Sequence, residues 1–432
     1  GDKWVSTESL ARIEVPPTIR ALLEARLDPL ERSERAVAEP ASVIGLEFPQ
    51  QAVESLAPPQ VRDSIEAHLT ALSRRHFVRP MNPASELRYR FDHHLVRDTV
   101  YNGLLKRARA TLHTEFVRWA DQVNAGSDRG REFEEILGYH LEQAYRYLGE
   151  LGPIDETGAA LGRDGARRLS SAARRAFARG DMHAAAKLFA RAVVLLADDD
   201  PQRVALLPEL GETLTELGDF AQARTVLDEA LRHAQRLNDV RLRFAALLLR
   251  MQVRLYGGEP GDWGEETLLV ATQAVAALEP LQADAELAIA WRLIGYVHGV
   301  AGRYGKVREA AARLVTHARL SGNERLVART AVGLSITLLL GPTPVSDGIA
   351  GCERILADGL TDRQALGKIL CTLATMRAMN EEFDRAREHY RRGRALLREL
   401  GQGWLAASTA QDLVRVELLA GDLAGAERDA RE

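Results

Sequence analysis

The stretch Leu210 to Ala230, LGETLTELGDFAQARTVLDEA, sets the tightest limit on what this chain can fold into. Two short amphipathic helices flank Gly218-Asp219. Leu214, Leu217, Phe220, Leu227 and Ala230 recur at helical spacing and supply one apolar face. Gly211 and Ala223 carry almost no side chain, so the two helices can approach closely. A lone hairpin of this size cannot bury such a face, and the unit must recur along the chain.

It does recur. The turns align as Gly180-Asp181-Met182, Gly218-Asp219-Phe220, Gly261-Asp262-Trp263, Gly302-Arg303-Tyr304, Glu381-Glu382-Phe383 and Gly421-Asp422-Leu423, with a divergent turn at Gly341–Pro344. The first three intervals are 38, 43 and 41 residues, and Glu381 to Gly421 is 40. Seven units fit, the last truncated. A small residue recurs seven before the turn (Ala173, Gly211, Gly295, Ala374) and five after it (Ala185, Ala223, Ala386, Ala426), where the helices of one hairpin touch. The pattern resembles the tetratricopeptide repeat, although its period exceeds the ~34 residues of that unit and approaches the ~40–47 of HEAT-like repeats. The extra residues are expected in inter-repeat loops such as Leu237-Asn238-Asp239, Ser321-Gly322-Asn323 and Leu400-Gly401-Gln402, with longer helices as the alternative.

Stacked hairpins of this kind form a superhelix with a concave groove that suits a peptide, a helix or another domain. Trp263, Trp291, Tyr304 and Tyr390 are candidate groove contacts, as are Tyr296 and Trp404. Each of these rings could instead fill its own gap between helices.

Composition narrows the function classes. A chain of 432 residues with 46% hydrophobic content can bury a large core, and a net charge of −4 gives no general attraction to nucleic acid or an acidic membrane. Lys3, Lys106, Lys187, Lys306 and Lys368 are the only lysines, so the positive charge is almost all arginine, as in GC-rich bacteria. Cys352 and Cys371 are isolated, with no disulfide framework or metal spacing. Apolar runs such as Phe244–Leu249 fall far short of the ~18 residues that span a bilayer. A reduced, cytoplasmic protein without membrane contact is expected. The chain opens at Gly1 without a methionine and stops at Glu432 inside a helical pattern, which suggests a piece of a longer polypeptide.

The amino-terminal part reads differently. Pro16-Pro17 should start a helix, and a second runs from Glu31 to Ile44 with Pro40 expected to kink or shorten it. Phe48–Leu56 and Val61–Arg74 read as two more helices. His76–Pro80 and Leu87–Phe91, joined through Asn82-Pro83, read as a β-hairpin, and a long helix from His94 to about Val123 follows. Helices followed by a hairpin wing describe a winged-helix domain. Duplex DNA is the alternative partner, but Val61–Arg74 carries Asp63 and Glu66 beside Arg62 and Arg74 and lacks a basic stripe. The basic residues Arg88, Arg90, Arg97, Lys106, Arg107 and Arg109 fit an interdomain or solvated face better.

VPPTIRALLEARLDPL (Val15–Leu30), SVIGLEF (Ser42–Phe48) and YRFDHHLVRDTVYNGLLKRARATLH (Tyr89–His113) resemble the segment after the nucleotide-binding core of bacterial STAND-type AAA ATPases. These signal-transduction NTPases include large ATP-binding LuxR-type regulators and nucleotide-cyclase fusions. EFEEILGYHLEQAYRYLGELG (Glu132–Gly152) is similar to their linker into a repeat array. In such ATPases a histidine after the hairpin, within a Met-His-Asp-type motif, reaches the ADP phosphate. The resemblance carries this nucleotide-sensing role to His93, although Asp92 stands for the Met and His94 for the Asp. The alternative for His93 is a bond within its own domain.

The nucleotide site itself is missing. Gly305-Lys306 and Gly367-Lys368 lack the upstream glycine of a phosphate loop and are followed by apolar residues. ATP or ADP with Mg is therefore expected only with an absent nucleotide-binding domain, and no cofactor or metal in this chain. Asp198-Asp199-Asp200 and Glu381-Glu382 suit helix N-termini, and His93, His94 and His113 do not share a helix face. No catalytic constellation stands out.

The sequence thus predicts a mostly all-α chain. Residues 1–125 form a winged-helix domain, 126–160 linker helices, and 161–432 a tetratricopeptide-like array. The expected role is a non-enzymatic regulatory fragment of an ATPase whose output domain, a cyclase, kinase or helix-turn-helix, lies outside this chain. Its repeats would receive a protein or small-molecule signal, and the winged helix would couple it to the missing nucleotide-binding domain, with self-association as a further expectation. A DNA-binding transcriptional regulator and a non-switching scaffold are the alternatives.

Overall fold

Short connections containing a left-handed residue separate the helices of several hairpins in the carboxy-terminal part. Gly180, Gly218, Gly302 and Gly421 have φ of 82°, 81°, 68° and 79°. Asp181, Asp219 and Asp262 then cap the next helices by accepting from Ala184, Gln222 and Glu265 backbone amides. The glycine ends one helix and the aspartate starts the next, as the repeat pattern requires. The computed structural model describes residues 17–81, 87–125, 133–258, 261–357 and 360–431, and divides into two units with the boundary between Arg168 and Leu169. Val15-Pro16, the Asn82-Pro83 turn and Glu132 lie outside the described residues.

The first unit begins with α1 (Pro17–Leu27) and α2 (Arg32–Ile44), then β1 (Glu47–Pro49), α3 (Gln50–Leu56), a 3-10 turn (Pro59–Ser64) and α4 (Ile65–Arg74). β2 (Val78–Pro80) and β3 (Arg88–Phe91) follow, then α5 (His94–Gly103), α6 (Lys106–Val123) and α7 (Glu134–Leu151), before α8 (Glu156–Ala178) crosses the boundary. The three strands form one antiparallel sheet in the order β1-β3-β2, with Phe48 opposite Tyr89 and Val78 opposite Phe91. Phe48, Phe91, Ile65, Leu69 and Leu72 are fully buried and join the sheet to α2 and α4.

Several expectations are corrected here. The hairpin has a third strand, β1, whose residues read as the start of a helix; Phe48 is the centre of the core instead. Pro40 does not end α2 early, because the helix continues to Ile44 with Pro40 buried. The helix from His94 is two, broken where Leu104 and Leu105 turn extended at ψ 139° and 145°. Phe116, Val117 and Ala120 of α6 then pack with Leu137 and Leu141 of α7 and with Ala52 and Leu56 of α3.

The second unit is an α-solenoid of tetratricopeptide-like hairpins, so the chain as a whole is mostly all-α. α8 pairs with α9 (Met182–Val194), α10 (Pro201–Leu217) with α11 (Phe220–Leu237), and α12 (Val240–Gly257) with α13 (Trp263–Leu278). α14 (Asp284–Val300) pairs with α15 (Tyr304–Leu320), α16 (Glu324–Leu340) with α17 (Val345–Ala357), and α18 (Arg363–Met379) with α19 (Phe383–Glu399). α20 (Gly403–Ser408), α21 (Ala410–Ala420) and α22 (Leu423–Arg431) complete seven hairpins among the described residues. The long period arises in the helices, not in the loops as expected: α10, α11, α12, α14, α15 and α16 are 17 or 18 residues long, with short connections.

The small residues do what their spacing implies. A Cβ on Gly211 would lie 2.6 Å from Leu227 Cδ2, and one on Gly393 would lie 2.5 Å from the Gly367 carbonyl oxygen. Ala173, Ala185, Ala223, Ala374 and Ala386 are all fully buried. Gly367-Lys368 therefore belongs to a close helix crossing. Among the described residues no helix is long and apolar enough to cross a membrane.

Candidate functional site

The second unit does not leave its inner face empty. Glu216, near the end of α10, meets side chains from hairpins far along the chain. Its carboxylate accepts from Gln364 Nε2 at 2.9 Å and lies 3.1 Å from Arg329 Nη2, while Arg329 Nη1 reaches Glu212 at 2.5 Å. The indole Nε1 of Trp404 donates to the Glu216 carbonyl oxygen at 2.6 Å. Trp404 also packs edge-on against Phe220, with centroids 5.9 Å apart, and lies 5.9 Å from Tyr256. A Cβ on Gly180 or Gly401 would lie in ordinary contact with Leu400 or His183 respectively. The last hairpins thus return to the first ones of this unit.

The electrostatics of the cluster are uneven. Burial works against the charge of Arg329, but Glu216 and Glu212 more than offset it and hold the guanidinium above its usual range. Arg292, on α14, feels the same two carboxylates, but they do not offset its burial. Burial, and then the like charge of Arg329, depress it. Its Nη2 donates to Gln252 Oε1 at 2.6 Å, an amide and not a carboxylate. Gln252 is fully buried, and neither its Nε2 nor Arg292 Nε has an acceptor.

Beside this cluster, a cleft of about 570 Å³ runs between α10, α12 and α14. Val204, Leu242, Ala245, Leu249 and Ile289 give it an apolar floor, and Glu209, Glu212, Asp239, Arg241 and Glu286 stand around it. A second cleft, of about 640 Å³, is lined by Ala318, Val327, Ala331, Leu334 and Leu360 among others.

The aromatic candidates fare differently. Tyr390 is 1% exposed and packs with Cys371, Ala374, Ala386 and Val416, so it is a core residue and not a groove contact. Trp291 is half-buried against the clusters around Ala288 and Leu293. Trp263, at the start of α13, lies 5.9 Å from the ring of Tyr296, and Tyr304 begins α15 half-buried. The polar inner face was missed. No repeat position marked it, since Glu212, Gln252 and Arg292 stand 6, 9 and 10 residues before their respective turns.

In the first unit, His93 caps α5. Its Nδ1 accepts from the Leu95 amide at 3.1 Å, and its exposed ring stacks on His94 with centroids 4.4 Å apart. As Nδ1 accepts, a neutral ring carries its proton on Nε2. The basic cluster nearby is largely engaged within the unit. Arg97 donates to the Ser42 carbonyl at 2.6 Å, Lys106 meets Glu150 at 3.0 Å, and Arg90 lies 3.6 Å from Glu47. On the helix read for base contacts, Arg62 donates to the Ala57 and Ser55 carbonyls.

A buried network lies behind it. His113 and His140 share a bond between their Nδ1 atoms at 2.8 Å, and His113 Nε2 meets the Tyr101 hydroxyl at 2.9 Å. The Tyr101 hydroxyl also meets that of Tyr147 at 2.9 Å. Burial, with His140 and Arg97 nearby, pushes His113 down to about 2, and burial with Arg97 pushes His140 down to about 3. Both imidazoles are neutral. The thiols of Cys352 and Cys371 are buried and pushed up to about 12, so they are inert. Among the described residues no group of three or more potential ligands could hold a metal ion.

No family model matches the chain, and no curated protein matches it. Among solved structures, it is similar to the signal transduction ATPase with numerous domains (STAND) protein with a tetratricopeptide repeat sensor from Pyrococcus horikoshii. That likeness has 13% identity and a TM-score of 0.38, covering 96% of this chain and 64% of the other. It is also similar to a Rap protein complexed with competence and sporulation factor, at 15% identity and a TM-score of 0.44, covering 88% and 99%. A third is the Rap conjugation gene regulator of the plasmid pLS20 in complex with a peptide, at 11% identity and 0.43, covering 87% and 97%. The chain thus spans less than two thirds of the length of the Pyrococcus protein.

Proposed function

We propose that this chain is the regulatory, ligand-receiving part of a multi-domain signal-transduction ATPase. The first unit, read as a winged-helix domain, docks on a nucleotide-binding domain supplied by the parent polypeptide. The array receives a protein, peptide or small-molecule signal, and its occupancy shifts the parent from an ADP-bound resting form toward an ATP-bound form that self-associates.

The observation that carries this reading is the inner face of the array, where clefts of about 570 and 640 Å³ adjoin helix faces held together across distant hairpins. Such a face suits recognition, because it offers an apolar floor and polar groups fixed by their own partners. His93, with its proton on Nε2, has the donor that contact with a phosphate needs. Arg62, Arg90 and Arg97 are engaged by carbonyls and a carboxylate of the first unit, which favours this reading over duplex DNA.

The test is ATP turnover by the parent polypeptide with and without residues 169–432. Deregulated turnover on deletion supports the proposal. Turnover and self-association indifferent to the deletion would favour a plain scaffold. Replacing His93 by Ala should speed ADP release, measured with a fluorescent ADP analogue; unchanged release leaves His93 as a helix cap only.

A further inference from the structure

The charged groups around the cleft between α10, α12 and α14 are unevenly partnered. Its rim looks acidic, but those carboxylates already have partners. Glu209 holds Arg174 through two bonds of 2.7 Å, Glu286 holds Arg241 at 2.8 Å, and Glu212 holds Arg329 at 2.5 Å. Asp239 caps α12 by accepting from Leu242 at 2.9 Å. A cationic ligand would have to displace one of these partners.

Arg292 is placed the other way. Residues 285, 289, 292 and 296 share one face of α14, and 245, 249, 252 and 256 share one face of α12, by helical spacing. Ala285, Ile289, Ala245 and Leu249 line the cleft, so Arg292 and Gln252 stand one turn beyond its floor. Arg329 and Arg254 each meet a carboxylate, whereas Arg292 donates to the Gln252 amide oxygen and makes no ion pair among the described residues. Glu212 and Glu216 act on Arg292 only from a distance, and its Nε and the Gln252 Nε2 are buried without an acceptor, a cost that a bound anion would offset. Tyr256 and Tyr296, 39% and 46% exposed, flank this end with apolar ring faces.

We propose that this cleft takes a ligand with an apolar body and a single carboxylate, the body on Leu249 and Ile289 and the carboxylate on Arg292 with the Gln252 amide. A planar carboxylate matches the guanidinium fork, and Glu212 and Glu216 nearby disfavour a dianion such as phosphate. The inference rests on the array being the ligand-receiving part. It concerns binding to this chain alone, so its failure leaves the nucleotide-coupling test standing.

The experiment titrates the purified 432-residue chain with two matched pairs of probes: octanoate against octanamide, and acetyl-Ala-Leu-Leu as the free acid against its amide. The expected result is that at least one acid binds about ten-fold more tightly than its amide. Which acid binds tells a small apolar acid from a peptide C-terminus. Arg292→Gln should abolish the preference, Arg292→Lys should keep part of it, and Ile289→Glu should weaken acid and amide alike. Circular dichroism checks folding, and Gln252→Leu, expected to weaken the acid several-fold, serves if Arg292→Gln does not fold. Equal affinity for acid and amide, a preference that survives Arg292→Gln, tighter binding of inorganic phosphate, or no binding by any probe would overturn the proposal.

Discussion

The Trp404 indole donates to the Glu216 carbonyl, 188 residues earlier, at 2.6 Å. The last carbonyls of a helix have no partner within it. At the end of α10, Leu214 and Thr215 carbonyls accept from Asp219 and Gly218 amides, and Trp404 satisfies the Glu216 carbonyl. A local capping need is met by a residue from the other end of the array. Trp404→Ala should therefore cost about 3 kcal/mol through lost ring packing and the exposed carbonyl, read from the urea midpoint. Trp404→Phe should cost less, about 1 kcal/mol, because it removes mainly the hydrogen bond.

Gly218 faces the same ring. Its φ of 81° is left-handed, and a Cβ there would lie 3.0 Å from Trp404 Cδ1. Gly218→Ala should destabilise by about 2 kcal/mol, from strain and the displaced indole together. Glu381 gives the converse. It occupies the equivalent turn at φ 62° without being a glycine. Glu381→Gly should raise stability by about 0.5–1 kcal/mol, visible as a small increase in melting temperature. An unchanged or lower value would mean that the Glu381 side chain contributes more than its backbone costs.

The helix crossing of α18 and α19 tolerates no side chain. A Cβ on Gly393 would meet the Gly367 carbonyl oxygen at 2.5 Å and Cys371 Sγ at 2.8 Å. Gly393→Ala should cost about 2–3 kcal/mol by forcing the helices apart. The same substitution at Gly305, where nothing lies within 4 Å, should be neutral or slightly stabilising, measured in parallel.

His113 and His140 make the first unit sensitive to acid. Their ordinary value is 6.5, and burial lowers them to about 2 and about 3 in the fold. Above pH 6.5 both are neutral folded or unfolded, and stability does not depend on them. Below it, the unfolded chain takes up protons that the folded unit refuses, so stability falls with pH until the folded values are reached. At pH 5 the two together should cost on the order of 4 kcal/mol. Arg97, Arg109 and Arg146 around them act in the same direction. Denaturant midpoints between pH 7.5 and 5, followed by Trp119 fluorescence, should fall in the native chain. The fall should be shallower in a His113→Gln, His140→Leu variant.

Local rules made much of this fold legible. Gly-Asp turns and buried alanines are short-range features, and their spacing marked the hairpins before any contact was known. β1 was hidden because three residues leave no period to read, and Phe48 suits a helix face as well as a strand. The aromatic candidates were ambiguous for a related reason: Tyr390 and Trp263 have similar local patterns, and only the third dimension buries one and half-exposes the other. The inner charge cluster was the least legible part. Glu216, Arg329, Gln364 and Trp404 are joined by the turn of the superhelix, and nothing within a single repeat records that turn.

An open stack of repeats can fray from either end, because each hairpin knows only its neighbours. The bond from Trp404 to Glu216 changes that accounting, for it ties opening of the final hairpins to loosening of α10. Shortening the chain from its carboxyl end should not trim stability in even steps. Removal of residues beyond 400 should instead release the early hairpins as well, and such a chain must complete its most distant contacts before it gains its full cooperativity.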